Sequence, residues 1–245
     1  MGRHLVKPGT TPTARFVTTH AVLTLDARHP YAAKSLVDAQ DMHRTVMSGF
    51  RGWVEDGSPD ARAQLGVLST WSVDLRAGTL VLVVQSRVAG DWQHLPPRAL
   101  AAPVRTLTVD RTLRTGDVLE FRTVVNPTRS RPGGAPSADR ARGTRIAHTS
   151  PEHVKRWFVR RLQPPGAPAT EETGLTRIGA SADPARLAIR MLPAVSSPSP
   201  HSRLRIVRAE VRGSLTVTDP EVLVRTLSQG LGHGRAYSCG LVLTR

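Results

Sequence analysis

The residues most suited to chemistry lie near the end of the chain. From Gly230 to Gly240 the sequence runs Gly-Leu-Gly-His-Gly-Arg-Ala-Tyr-Ser-Cys-Gly, four glycines within eleven residues. Glycine lets backbone N–H groups approach an anion without interference from a Cβ, and Arg235 adds a guanidinium, so this segment can cradle a phosphodiester. The alternative is a flexible helix-to-strand connection that closes its helix on glycine. Other catalytic patterns are absent: there is no Gly-x-Ser-x-Gly elbow, no Walker lysine loop and no Cys-x-x-Cys. His148 and His153 share a helix start but have no carboxylates at ligand spacing, so neither metal nor cofactor is expected. Cys239 is the single cysteine, which excludes an internal disulfide and reads as a small buried hydrophobe.

Charge points to the partner. The 245 residues carry 34 Lys and Arg against 19 Asp and Glu, a formal charge of +15, and 31 of the basic residues are Arg. Codon composition can produce that bias, but a planar guanidinium also binds phosphate bidentately and stacks on bases. Ten basic residues fall between Arg122 and Arg161 against only Asp139 and Glu152, a concentration that suits nucleic acid. A hydrophobic fraction of 39% is too high for a disordered basic tail. No apolar run approaches bilayer length and the first residues lack the apolar core of a signal peptide, so a cytoplasmic protein with no membrane partner is expected.

The elements that must position these residues follow from periodicity. After a loose arm over 1–12, residues 14–26 alternate as a strand, and Ala39, Met42, Val46, Phe50 and Trp53 give one apolar face to a helix over 35–53. Residues 64–73 and 79–86 form a hairpin around 74–78. Pro96, Pro97 and Pro103 leave room only for a weak helix before a strand over 117–126. Residues 127–148 lack large apolar side chains and read as a basic loop. Ser150-Pro-Glu opens a second helix, 185–192 and 204–218 are strands, Asp219-Pro-Glu221 opens a third helix, and 236–244 closes the chain as a strand. The reading is α+β, two tandem ferredoxin-like (βαββαβ, RRM-like) domains over 13–128 and 150–245 with a basic linker at 129–149.

Four segments carry a family resemblance over about residues 14–245. The glycine-rich stretch from Gly230 resembles the terminal signature of CasE, the CRISPR repeat-RNA endoribonuclease of type I-E Cascade. Met42-His-Arg-Thr45, Val118-Leu-Glu-Phe-Arg-Thr-Val-Val-Asn-Pro127 and Val154-Lys-Arg-Trp-Phe-Val-Arg-Arg-Leu162 resemble the family's segments in the same order. The resemblance implies a metal-independent ribonuclease that cuts pre-crRNA at the 3′ base of its repeat hairpin. The 2′-hydroxyl is the nucleophile there, and the ends are a 2′,3′-cyclic phosphate and a 5′-hydroxyl. It also implies retention of the crRNA within Cascade beside other subunits, especially the backbone subunit; free, the protein is expected to be a monomer.

By the same resemblance the catalytic histidine falls on His43, at the edge of the apolar face that holds Met42. The family places a tyrosine three residues earlier, one helical turn away, where this chain has Gln40. Glutamine can orient a hydroxyl but cannot exchange a proton. Candidate substitutes are His233, Tyr31 and His20, with His233 favoured. Gly230, Gly232, Gly234 and Arg235 are assigned to the phosphate beside the cut, with Arg44 a weaker candidate. Arg129, Arg131, Arg140, Arg142 and Arg145 of the linker and Arg205, Arg208 and Arg212 of the long strand are expected to grip the hairpin stem through its backbone. The alternative, raised by Gln40, is a repeat-hairpin binding subunit that does not cut.

Overall fold

The protein is described by a computed structural model over residues 11–54, 58–130, 145–198 and 204–245. Strand β1 (Thr13–Asp26) buries Ala21, Leu23 and Leu25 on one face, as its alternation predicts. The single helix expected over 35–53 is two helices, α1 (Pro30–Val37) and α2 (Ala39–Ser48). Asp38 separates them in an extended conformation, and its carboxylate accepts the Gln40 N–H at 2.9 Å, so the residue that stops one helix caps the next. Trp53 lies beyond α2 and is 53% exposed rather than on an apolar helix face.

Helix α3 (Ala61–Gln64) precedes the expected hairpin of β2 (Leu68–Asp74) and β3 (Thr79–Ser86). The proline-interrupted stretch departs from expectation. It makes one 3-10 turn, Pro97–Ala99, and then a long strand β4 (Leu100–Arg114). β4 is the edge of its sheet, and Pro103 sits where the register with β1 shifts between Val22 and Thr24, a place where a missing N–H costs no ladder bond. The first sheet runs β2-β3-β1-β4, antiparallel throughout. Met42, Val46 and Phe50 pack with Leu23, Leu25, Leu80 and Leu82 in its core.

Strand β5 (Val118–Val125) was expected to close the first half. It opens the second instead, pairing with β10 (Arg205–Val217) and β11 (Val242–Thr244). Periodicity reveals a strand but not its sheet. Between β5 and β10 come the hairpin β6 (Thr128–Ser130) and β7 (Arg145–Ala147), then α4 (Pro151–Val159), β8 (Ala180–Ser181) and β9 (Ala188–Ser196). Helix α5 (Pro220–Gln229) follows β10. Both predicted caps are present: Ser150 faces the His153 N–H and Asp219 accepts from Val222 at 3.1 Å. The sheet order is β11-β5-β10-β8, with β9 also on β10.

The first sheet thus places its strands in the order fourth, first, third, second, the second sheet repeats that order with β8 and β9 sharing the second strand's place on β10, and the chain is two tandem ferredoxin-like units. By sheet membership they meet at the Thr115–Asp117 turn, not within 129–149. Residues 131–144 of the expected linker and 1–10 of the expected arm lie outside the described residues. The closing strand expected over 236–244 is only β11, because Arg235–Tyr237 form a 3-10 turn. No helix among the described residues is long and apolar enough to cross a membrane.

Candidate functional site

The glycine-rich segment is a tightly folded return from α5 to β11. Its four glycines all have φ between 75° and 88°. At Gly240 a Cβ would lie 2.6 Å from the Leu231 carbonyl oxygen, and at Gly230 2.7 Å from a Leu68 methyl. The Gly230 N–H donates to Thr226, the Leu231 N–H to Gly240 at 2.8 Å, and the Gly240 N–H to Val124 at 2.6 Å. These donors close the loop on itself, so Gly230 does not offer its N–H to an anion. Packing, rather than an anion cradle, accounts for glycine at 230 and 240.

The loop joins the two halves. The Gln85 amide donates to the Leu227 carbonyl at 2.8 Å, and the Ser69 and Ser238 hydroxyls meet at 2.9 Å. Ser238 is fully buried with φ 57°, a conformation that non-glycine residues adopt only when their surroundings impose it. These contacts set the 3-10 turn against α2, where the rings of His43 and Tyr237 meet edge to face with centroids 6.3 Å apart.

His43 is half-buried, and burial is the main cause that lowers its pKa below the ordinary histidine value. The positive charges of Arg62 and Arg44 lower it further, while a hydrogen bond to the Ala236 backbone opposes them. The imidazole is therefore neutral at pH 7 and able to accept a proton. Arg62, on α3, donates to the Val67 carbonyl at 2.9 Å, and its own pKa is lowered by burial and by Arg235. Arg235 donates to the Gln229 carbonyl at 2.9 Å and, with Arg62 and Arg87, lines a hollow of about 260 Å³. Gln40 is half-buried one turn before His43.

His233 is exposed and forms an isolated bridge with Asn126. It lies where two grooves meet, of about 990 Å³ and about 580 Å³. The larger is lined by Arg129, Arg156, Arg160, Arg161, His148 and His153. Arg161 stacks on the Trp157 ring, 3.6 Å from its centroid, and burial followed by the charge of Arg160 pushes its pKa down to about 10. His233 and His43 are not joined by a hydrogen bond or ring contact, and they answer to different charges: His233 to Arg145, Arg235 and Arg161, His43 to Arg62 and Arg44. His20 is tied to Gln85 at 3.1 Å, and Tyr31 packs on the first core.

The arginines divide. Arg145 and Arg205 are exposed, as is Arg44, which pairs with Asp41 at 3.0 Å. Arg212 pairs with Glu210 at 2.7 Å. Arg208 is not a surface grip: it is 2% exposed and lies over the Trp71 ring, 4.0 Å from its centroid, so it fastens the second sheet to β2. Arg131, Arg140 and Arg142 lie outside the described residues. The sequence reading missed Tyr237 and Arg62. Tyr237 stood inside the quoted glycine-rich segment, whereas nothing in the local pattern marked Arg62.

A family model described as CRISPR associated protein matches residues 21–245. The chain belongs to that family. Its fold is similar to that of Thermus thermophilus Cse3 bound to an RNA representing a pre-cleavage complex, with a TM-score of 0.69 and 23% identity over 94% of this chain and 100% of the other. CRISPR endoribonuclease Cse3 bound to a 19 nt RNA gives 0.66 and 22% identity over 94% and 99%. Cas6e from Escherichia coli K-12 gives 0.62 and 17% over 93% and 98%. At these identities the likeness is one of fold. No curated protein sequence matches the chain.

Proposed function

We propose that this CRISPR-associated protein is a metal-independent endoribonuclease that binds the repeat hairpin of pre-crRNA and cuts at its 3′ base. The observation that carries this reading is a half-buried His43 whose ring meets Tyr237 and whose pKa is held low by burial and by Arg62, itself next to Arg235. His43 takes the proton of the 2′-hydroxyl, O2′ attacks the adjacent phosphorus, and the bond to the 5′-oxygen breaks, giving a 2′,3′-cyclic phosphate and a 5′-hydroxyl. Arg62 and Arg235 supply positive charge where the phosphorane gathers negative charge. Fold similarity to Cse3 bound to RNA supports the substrate class, and the groove of Arg129, Arg156 and Arg160 suits a phosphate backbone. Fold similarity to a subunit of a CRISPR RNA-guided surveillance complex supports retention of the product in Cascade (TM-score 0.53, 19% identity, covering 91% of this chain and 98% of the other).

Incubation with the cognate repeat RNA in EDTA is the test. Wild type cuts, and His43→Ala slows cutting by about 10²–10⁴-fold, the usual worth of a general base, with RNA affinity unchanged. Binding without cutting by wild type supports the second reading, a recognition subunit, which the replacement of the family tyrosine by Gln40 favours. Cutting that disappears in EDTA refutes the mechanism.

A further inference from the structure

In-line cleavage needs a proton removed at O2′ and a proton delivered at the 5′-oxygen on the opposite side of phosphorus. Given the ribonuclease reading above, on which this inference rests, His43 serves one oxygen and Gln40 cannot serve the other, because an amide does not exchange a proton. We propose that Tyr237 is the second catalytic residue, its hydroxyl protonating the departing 5′-oxygen across the site from His43.

Three observations carry this assignment. Tyr237 presents the one aromatic ring in contact with His43 among the described residues, and both side chains are half-buried, so one phosphodiester can reach them together. Its position is also imposed rather than incidental. The 3-10 turn begins at Gly234 and ends at Ser238, both left-handed, and the Tyr237 N–H donates to the Gly234 carbonyl at 2.8 Å. The buried Ser238 hydroxyl is anchored to Ser69 in the other half, so the strain of φ 57° is held in place at the residue next to Tyr237. Of the rival groups, finally, none meets the His43 ring: His20 is held by Gln85, His233 lies at the grooves beside Arg145 and Arg161, and Tyr31 packs on the first core, whereas Tyr237, packed on the small cluster of Val124, Ile206 and Cys239, turns its ring to His43.

The step balances. The O2′–P bond forms as its proton passes to His43, the P–O5′ bond breaks as the tyrosyl proton passes to O5′, and the resulting imidazolium and phenolate return to their starting forms by exchange with water.

Single-turnover cleavage in EDTA of two repeat hairpins tests it, one with the ordinary linkage and one with sulfur replacing the bridging 5′-oxygen at the cut. A thiolate leaves without a proton, so Tyr237→Phe slows the ordinary substrate by about 10²–10⁴-fold yet cuts the sulfur substrate at the wild-type rate. His43→Ala is slow on both. Binding of an uncleavable 2′-deoxy hairpin and the melting temperature of Tyr237→Phe stay at wild-type values. Wild-type rates for Tyr237→Phe on both substrates, or equal losses on both, overturn the proton-donor role while leaving the ribonuclease intact. Failure of wild type to cut either RNA removes the ribonuclease reading itself, and this inference with it.

Discussion

Replacing Gly240 by alanine measures how strongly packing sets the loop that carries Tyr237. The native φ of 88° lies in the left-handed half of the backbone map, which costs an L-residue about 1–2 kcal/mol. The new methyl would stand 2.6 Å from the Leu231 carbonyl oxygen and 3.0 Å from its nitrogen. Both are backbone atoms fixed by the Leu231 N–H bond to Gly240, so no rotamer relieves the clash, and forcing atoms into such a site costs a further 1–3 kcal/mol or so. The expected loss is about 2–5 kcal/mol, a fall in Tm of roughly 5–15 °C for a chain of this length. Gly116→Ala is the internal control. Its φ is 92°, but nothing lies within 4 Å of its Cβ position, so only the conformational part is lost. Urea and thermal melts of the two variants separate the contributions. If Gly240→Ala melts together with Gly116→Ala, the loop is not held by close packing, and the account given for its glycines fails.

Two further substitutions address charge. Arg62→Ala removes a cation that disfavours the imidazolium of His43. Because His43 must be neutral to take a proton, activity rises with pH through its pKa, and the acid limb of the wild-type kcat/KM profile lies below the ordinary histidine value. The variant's limb moves to higher pH; a limb that stays or moves lower refutes the electrostatic argument. Glu210→Ala removes a buried carboxylate that meets Arg122 at 2.6 Å, Arg212 at 2.7 Å and Arg190 at 3.3 Å. Breaking a buried pair costs about 3–5 kcal/mol, but the Arg190 and Arg212 side chains are 64% and 52% exposed and are partly relieved by solvent. A loss of about 2 kcal/mol in urea melts at neutral pH is expected, and no loss would show the cluster to be energetically idle. Burial alone would raise the Glu210 pKa; hydrogen bonds from Arg212 and Arg122 outweigh it and hold it low. Its contribution is therefore present at neutral pH and disappears as pH falls below the usual glutamate range.

Local signals in the sequence were read well where local physics decides. Ser150-Pro and Asp219-Pro start helices because a side-chain oxygen caps orphan N–H groups and proline suits the first turn, and both helices begin there. The family resemblance drew attention to the glycine-rich segment and to His43, whose ring the fold brings against Tyr237. What stayed hidden depends on contacts between distant segments. Alternation marked residues 117–126 as a strand, but only pairing with β10 assigns it to the second sheet. Pro103 argued against β4 because the rule excluding proline applies to interior strands, and the position of β4 at an edge was not visible. Arg208 looked like its neighbours on β10, although it is the buried one, since Trp71 in another half of the chain decides its environment.

That same dependence on distant contacts defines the proposed site. His43 belongs to the first sheet's helices and Tyr237 to the second sheet's last connection, so the two rings meet only when the halves are docked. Docking is maintained by Gln85 to the Leu227 carbonyl, by Ser69 to Ser238 and by Arg208 on Trp71, none of which touches the proposed reacting atoms. Misplacing a reacting group by about an ångström can cost around a hundredfold in rate, so loosening any of these contacts should reduce cutting more than it reduces folding. Arginine consequently has separate roles: Arg208 joins the halves, Arg62 and Arg44 lower the pKa of His43, and the groove arginines are those proposed to meet an RNA backbone. The net charge of +15 announced a polyanion, but its distribution shows that some of the basic residues hold the protein together.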